Sequence, residues 1–147
     1  MLSGPSSILF ACTLNAVRSP MAEALMKHFH GRRIYCDSVG VHQADIDPLA
    51  IEVMKEIGLD LVRHRAKTFD QLADTSFDLV VTLSPEAQHR AVELTRTMAC
   101  DVEYWPTFDP TIIEGNREAR LAAYRQVRDQ IKERILTRFP LAPSGSG

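Results

Sequence analysis

The residues of this sequence best suited to chemistry are a cysteine and an arginine that are separated by five other residues. Cys12 directly follows the apolar run 8–11, and no glycine or proline stands between it and Arg18. Cysteine supplies a nucleophile, and the planar guanidinium of arginine binds tetrahedral oxyanions through two parallel hydrogen bonds. Backbone N–H groups, a helix N-terminus and a guanidinium all favour the thiolate form of a nearby thiol. The spacing therefore predicts a thiolate placed to attack the phosphorus of a bound phosphate group.

The residues between Cys12 and Arg18 are expected to form a loop whose backbone N–H groups converge on the anion. Ser19 is placed to hydrogen-bond the thiolate, at the start of an amphipathic helix. Asn15 is a residue type that tolerates the left-handed backbone conformation of a tight loop. The predicted phosphate-binding residues are Thr13, Leu14, Asn15, Ala16, Val17, Arg18 and Ser19.

A third candidate, Asp109, lies about one hundred residues further along the chain, just after the last predicted strand. Since ligands of open α/β sheets bind beyond the carboxyl ends of the strands, we expect Asp109 at the same edge as Cys12. A carboxyl group there can protonate the leaving oxygen and then activate the water that hydrolyses a phosphocysteine. Outside this context, an aspartate before proline is an ordinary turn residue.

Alternating apolar strands and amphipathic helices predict one α/β domain over 1–147, with a parallel sheet covered on both faces. The segment 141–147, rich in Pro, Ser and Gly, is expected to be a disordered tail. The predicted strands are 8–11, 33–39, 77–83 and 101–105. The predicted helices are 19–30, one from Asp47-Pro48 to Gly58, a short one at 68–73, one from Ser84-Pro85 and one from about Asn116.

Composition excludes several classes of function. The chain has 147 residues, 45% hydrophobic and 24% charged, and a formal net charge of −2. Without a Lys/Arg stripe or a long apolar run, we expect neither nucleic-acid binding nor membrane insertion, and we expect no signal peptide. Three widely spaced cysteines argue against a disulfide framework and favour the cytoplasm. Scattered histidines and the lack of a CxxC pair predict no metal site.

Several other polar residues are interpreted as structural. Cys36 lies within a strand, Cys100 at a strand entrance, and Ser84 caps a helix. We expect His28 and His30 to be surface residues near a helix end. The charged residues of the last helix are expected to form its solvated face; they are Arg120, Arg125, Arg128, Lys132, Glu133 and Arg134.

The run from Cys12 to Leu25, CTLNAVRSPMAEAL, resembles the phosphate-binding loop and first helix of the low-molecular-weight protein tyrosine phosphatase family, which includes related arsenate reductases. Similar segments at 37–40, 47–50, 64–67 and 105–110 extend the resemblance to nearly the whole chain. It implies a four-stranded parallel sheet flanked by helices and phosphatase chemistry without metal or organic cofactor. It further implies that Cys12 is the nucleophile, Arg18 the phosphate binder and Asp109 the general acid. The residues implied to support the loop are Asn15, Ser19 and Ser38.

The chain also departs from the family pattern. Leu14 stands where the family usually has glycine. Val17 replaces a common second cysteine, so oxidised Cys12 lacks that local disulfide partner. The aromatic residues that many members place after Asp-Pro are absent, which leaves Phe108 as the nearest candidate wall for an aromatic substrate.

Three functions fit these residues. The leading hypothesis is a phosphomonoester hydrolase, in particular a protein tyrosine phosphatase, whose partner is a phosphorylated protein or a small phosphomonoester. The alternative is a single-cysteine arsenate reductase that uses an external thiol, because Ser84 and Ala91 stand about where thioredoxin-linked members have two further cysteines. The third is a weakly catalytic phosphate-binding regulatory protein, for which Leu14 is the only support. No pattern in the sequence bears on oligomeric state.

Overall fold

Four parallel strands form a sheet in the part of the chain that the structure describes. The computed structural model describes residues 4–72 and 76–141. The strands are β1 Ser7–Cys12, β2 Tyr35–Gly40, β3 Leu79–Thr82 and β4 Asp101–Tyr104, in the order β2-β1-β3-β4. The predicted α/β domain with a parallel sheet is confirmed. The expected disordered tail lies outside the described residues, except for Leu141.

The central strand β1 is buried on both faces, as its unbroken apolar sequence predicts. Successive side chains of a strand point to opposite faces of a sheet. Accordingly Ile8, Phe10 and Cys12 pack into one core, and Leu9 and Ala11 pack into the other. Cys12 therefore ends the strand on the face that helix α1 covers.

Four α-helices cover the sheet: α1 Arg18–His30, α2 Pro48–Lys55, α3 Pro85–Leu94 and α4 Arg117–Arg138. Three of them begin at side-chain caps, because Asp47, Ser84 and Asn116 each accept a hydrogen bond from a backbone N–H of the first turn. Helices α1, α2 and α4 lie on one face of the sheet, and α3 lies on the other. No helix in the described part of the chain is long and apolar enough to cross a membrane.

Several predicted boundaries were wrong by a few residues. Strand β2 begins at Tyr35, two residues after the predicted start, because Arg33 and Ile34 still donate backbone hydrogen bonds to His30 O in a turn. Helix α2 ends at Lys55, and a hydrogen-bonded turn continues to Gly58, whose φ is +81°. The short helix predicted at 68–73 is a 3₁₀ helix, Phe69–Gln71, and Ala73 lies outside the described residues.

Two residues that were expected on the surface are buried. His30 is 4% exposed, and its Nε2 lies 2.8 Å from Phe139 O, because the end of α1 packs beneath the end of α4. Arg128 is 8% exposed and donates a hydrogen bond to Val53 O at 2.7 Å, because α2 packs against that face of α4. Both surface predictions were wrong, since they were made from each helix alone.

Candidate active site

The candidate site lies where the chain leaves β1, at the carboxyl edge of the sheet. Cys12 is the last residue of β1 and pairs with Gly40 of β2, while β3 lies on the other side of β1. This is the point at which the strand order reverses, the usual ligand position in an open parallel sheet. The short loop 13–17 then leads directly into helix α1.

Backbone hydrogen bonds fix the orientation of the loop. The carbonyls of Cys12, Thr13, Leu14 and Ala16 accept hydrogen bonds from backbone N–H groups within the segment 41–47. In a trans peptide, each carbonyl points opposite to the N–H of the following residue. The N–H groups that follow these four carbonyls therefore point away from that segment. They belong to Thr13, Leu14, Asn15 and Val17.

Asn15 is the centre of the hydrogen-bond network beneath the loop. Its φ is +56°, and it is fully buried. Asn15 Nδ2 donates to Ser19 Oγ at 2.8 Å and to Ser38 Oγ at 3.0 Å. Asn15 Oδ1 accepts from the Lys67 N–H at 3.0 Å and lies 3.1 Å from His64 Nε2. The amide thus holds the left-handed turn by contacts with three other parts of the chain.

The loop requires glycine at position 40, and the sequence-based site prediction did not include this residue. A Cβ atom at this position would lie 2.7 Å from Asn15 N and 2.8 Å from the Leu14 carbonyl carbon. It would also lie 2.3 Å from His42 O. Only glycine allows the loop to approach the end of β2 this closely. The sequence does show a glycine at the end of the second strand. Its contact with the loop, however, depends on the pairing of β2 with β1.

Two hydrogen-bond partners surround the sulfur of Cys12. Ser19 Oγ lies 2.9 Å from Cys12 Sγ, and the Ser19 N–H donates to the same sulfur at 3.4 Å. Since Ser19 Oγ already accepts from Asn15, its own hydrogen can point to the sulfur or to Val39 O, 3.2 Å away. Helix α1 begins at Arg18 without a side-chain cap, so its free N–H groups and positive end also lie near the sulfur.

Arg18 connects the loop to the segment that carries Asp109. Its side chain is largely buried; one terminal nitrogen donates to Thr107 O at 3.0 Å and the other to Thr13 Oγ1 at 3.4 Å. Thr107 N in turn donates to Leu83 O at the end of β3. The guanidinium is therefore held in place from two sides, which preorganises it for a bidentate oxyanion contact.

Asp109 and Cys12 line one cavity of about 390 Å³. Asp109 Oδ1 accepts hydrogen bonds from the Thr111 N–H at 3.0 Å and the Thr111 hydroxyl at 2.7 Å. This pairing directs one carboxyl oxygen to Thr111. The residues that line the cavity are Cys12, Thr13, Leu14, Ala16, Val17, Arg18, Ala44, Asp45, Asp47, Pro48, Asp109, Thr111 and Arg120.

The cavity wall differs from expectation at one position, Phe108. Phe108, the predicted wall, does not line the cavity and is 48% exposed, because the backbone turns at Asp109 and directs Thr111 inward instead. Leu14 lines the cavity and is 42% exposed, and its φ is not in the left-handed region. The side chain at this position is therefore accommodated at the mouth of the cavity without backbone strain.

Asp47 is a further site residue, which the sequence indicated only as a helix start. Besides capping α2, it accepts a hydrogen bond from the Tyr124 hydroxyl at 2.7 Å. Burial, together with this bond, raises the pKa of Tyr124, so the phenol stays protonated. The Asp47 N–H donates to Ala16 O in the loop. Asp47 thus joins α2, α4 and the loop at the cavity wall.

The back of the loop carries a second group of polar contacts. Ser38 Oγ donates to the carboxylate of Glu23, so this serine bridges Asn15 and helix α1. His64 Nε2 lies 3.2 Å from Asn15 O, and burial lowers the pKa of His64. A neutral imidazole that donates from Nε2 satisfies both of its oxygen neighbours.

The other two cysteines lie at the opposite edge of the sheet. Cys36 pairs with Ile8, four residues before Cys12, which corresponds to about 13 Å along the strand. Cys100 precedes β4 at the same edge. Burial raises the pKa of the Cys36 thiol well above its usual range and also raises that of Cys100. A disulfide requires Cα atoms within about 7 Å, so Cys36 cannot bridge to Cys12 in this fold.

Within residues 4–72 and 76–141, no cluster of His, Cys, Asp and Glu side chains is suited to hold a metal ion. The cavity instead joins a thiol, a guanidinium and a carboxyl group. Nucleophilic attack on a bound oxyanion, with proton transfer by the carboxyl group, is the chemistry that such a set can perform.

Comparisons with known proteins agree on one family. Residues 7–139 match the family model described as low molecular weight phosphotyrosine protein phosphatase. The arsenate reductase of Halalkalibacterium halodurans is 36% identical over 132 residues, which are 88% of this chain and 92% of that protein. A YwlE mutant from Bacillus subtilis has a TM-score of 0.72 at 25% identity, over 86% of this chain and 91% of its own. A structure of an arsenate reductase in the phosphate-binding state has a TM-score of 0.67 at 25% identity, over 90% of this chain and 95% of its own.

Proposed function

Because this chain belongs to the low molecular weight phosphotyrosine protein phosphatase family, we propose that it hydrolyses phosphomonoesters through a phosphocysteine at Cys12. Members of this family are cysteine-dependent enzymes. The observation that carries the proposal is the cavity that Cys12, Arg18 and Asp109 line together. Asp109 lies about one hundred residues from Cys12 in the sequence, yet it lines the same cavity. Asp109 supplies the proton that ester hydrolysis requires.

In the first step, the Cys12 thiolate attacks phosphorus while the bond from phosphorus to the ester oxygen breaks. Asp109 gives its proton to the departing oxygen, so an alcohol or phenol leaves. In the second step, water attacks the phosphocysteine and transfers a proton to the Asp109 carboxylate. The sulfur–phosphorus bond breaks, which releases phosphate and restores the Cys12 thiolate.

The other site residues stabilise charge in these steps. Arg18 binds two phosphoryl oxygens, and the loop N–H groups bind the charge that develops on the phosphoryl group. Ser19 donates to the sulfur, both in the resting thiolate and when the sulfur leaves phosphorus. Asn15 and Ser38 hold Ser19 in position. These donors are fixed before the reaction, so little reorganisation opposes it.

For the substrate, we propose a phosphotyrosine-containing protein, with small aryl phosphates as model compounds. The family description supports this class. Leu14, Ala44 and Pro48 supply an apolar part of the wall against which a phenyl ring can pack. Thr111 and Arg120 supply the polar part.

Arsenate reduction is the second candidate, since the name of the Halalkalibacterium halodurans relative favours it. The same loop suits arsenate, a tetrahedral oxyanion like phosphate. An intramolecular thiol relay needs a second cysteine near Cys12, yet Cys36 and Cys100 lie at the other edge of the sheet. This activity would therefore consume an external thiol, and Asp109 would have no ester oxygen to protonate.

The test compares hydrolysis of an aryl phosphate, with a metal chelator present, in wild type, Cys12→Ser and Cys100→Ser. Cys100→Ser is the matched control, because it makes the same chemical change far from the cavity. We expect vanadate-sensitive hydrolysis in wild type and the control, and its loss in Cys12→Ser with phosphate binding retained. Thiol-dependent arsenite formation without hydrolysis would assign the chain to the reductase candidate instead. Hydrolysis by Cys12→Ser at the wild-type rate would disprove the phosphocysteine.

A further inference from the structure

Two neighbouring grooves lie away from the candidate active site and are unusually basic. One, of about 720 Å³, follows the end of α1 and the turn into β2, over residues 27–36. The other, of about 610 Å³, lies between α1 and the segment 59–67. Lys27 and His28 line both, so the two grooves are adjacent. The name basic groove is used for both together.

The charge of the basic groove is opposite to that of the chain. Six Lys and Arg side chains line it, against two carboxylates, Glu23 and Asp60. The whole chain has a formal net charge of −2. The cations come from two segments that lie about thirty residues apart in sequence, so only the fold brings them together. They are Lys27, Arg32, Arg33, Arg63, Arg65 and Lys67.

Four of these cations also have no carboxylate partner. Arg32, Arg33, Arg63 and Arg65 are exposed and form no ion pair within the described ranges 4–72 and 76–141. Outside the groove, five of nine arginines are paired with carboxylates in the described residues. The paired ones are Arg90, Arg117, Arg125, Arg128 and Arg138.

Between the charged side chains, the basic groove has an apolar floor. Ala24, Phe29, Ile34 and Leu59 line it and also pack against the hydrophobic core. A polypeptide with acidic and apolar side chains matches both features, because its carboxylates meet the arginines while its apolar groups cover the floor. A nucleic acid matches less well, since its phosphates extend beyond the groove and would meet an acidic remainder.

We propose that the basic groove is a docking surface for an acidic segment of a partner protein, in extended form. The groove lies outside the cavity of Cys12, and the proposal is independent of which reaction that cavity performs. His64 lines the groove and contacts Asn15, so the groove reaches the back of the loop 13–17.

The test measures binding of a short fluorescein-labelled peptide with alternating glutamate and leucine, by fluorescence anisotropy. The full chain is compared with Arg32→Glu/Arg33→Glu and with Arg63→Glu/Arg65→Glu. The control is Arg96→Glu/Lys132→Glu, which makes the same charge change at two exposed positions outside the groove. Thermal unfolding checks that each variant is folded, and a peptide with glutamine in place of glutamate tests the charge requirement.

We expect both groove variants to bind the acidic peptide at least tenfold more weakly, while the control variant keeps wild-type affinity. Raising the salt concentration from about 50 to about 300 mM should weaken wild-type binding, because salt screens exposed charges. Equal losses in the control would show only a response to net charge and would overturn the proposal. So would tighter binding of a single-stranded oligonucleotide than of the peptide, or the absence of peptide binding in wild type.

Discussion

Replacing Ser19 by alanine isolates one hydrogen bond to the nucleophile. Ser19 is fully buried, and its hydroxyl lies 2.9 Å from Cys12 Sγ. A hydrogen bond to a charged group contributes about 1.5–3 kcal/mol, and burial excludes the water that could replace it. Because about 1.4 kcal/mol corresponds to a tenfold change in rate, we expect kcat for an aryl phosphate to fall about 10- to 150-fold.

The matched control is Ser38→Ala. Both serines are fully buried, and each accepts one hydrogen bond from Asn15 Nδ2, but only Ser19 contacts the sulfur. We expect Ser38→Ala to lower kcat less than Ser19→Ala. The second readout is the time course of Cys12 alkylation by iodoacetate. This alkylation profile should change in Ser19→Ala, because the sulfur loses its hydroxyl contact, and should stay nearly unchanged in Ser38→Ala.

Two results would refute this reasoning. One is a kcat of Ser19→Ala within twofold of wild type, which would mean that the hydroxyl donates to Val39 O and not to the sulfur. The other is an equal loss of activity in Ser19→Ala and Ser38→Ala without any change in the alkylation profile. In that case, both serines would act only by holding Asn15 and the loop.

Three further changes test other parts of the structure. Asp109→Asn should slow the hydrolysis of alkyl phosphates at least tenfold more than the hydrolysis of nitrophenyl phosphate, because nitrophenolate is a good leaving group that needs no proton. Equal losses of rate on both substrates would indicate that Asp109 has a structural role. Thr111→Val should lower kcat for alkyl phosphates, because the Asp109 carboxyl group loses the hydroxyl contact that orients it, and Thr111→Ser should restore the rate. Burial lowers the pKa of His64, so the folded state binds fewer protons than the unfolded state just below pH 6.5. Denaturant unfolding should therefore show wild type losing stability more steeply than His64→Gln from pH 7 to 5, and parallel curves would contradict this.

Local sequence was sufficient for the order of the elements and for the position of the loop 13–17. Asp47-Pro48, Ser84-Pro85 and Asn116 start helices because each cap bonds to N–H groups two or three residues away. At Asn15 the sequence indicates only a residue type that tolerates the left-handed conformation, which contacts with Ser38 and Lys67 then hold in place. Such signals involve only a few neighbouring residues, so a single sequence contains them.

Tertiary packing decided the rest of the site. Asp47 lines the cavity because α4 brings the Tyr124 hydroxyl to it, and Phe108 is outside because the turn at Asp109 directs Thr111 inward. Nothing local to Asp47 or Phe108 specifies these placements.

The same distinction explains which helix residues are buried and which charged residues cluster on the surface. His30 and Arg128 have the sequence surroundings of exposed helix residues, but α4 and α2 cover them. The basic groove, conversely, arises from arginines in the segments 32–33 and 63–65, which form no stripe in the sequence. Composition and periodicity determine what each segment forms, whereas burial and clustering depend on contacts between segments far apart in the chain. Those contacts exist only after the helices have packed on the sheet.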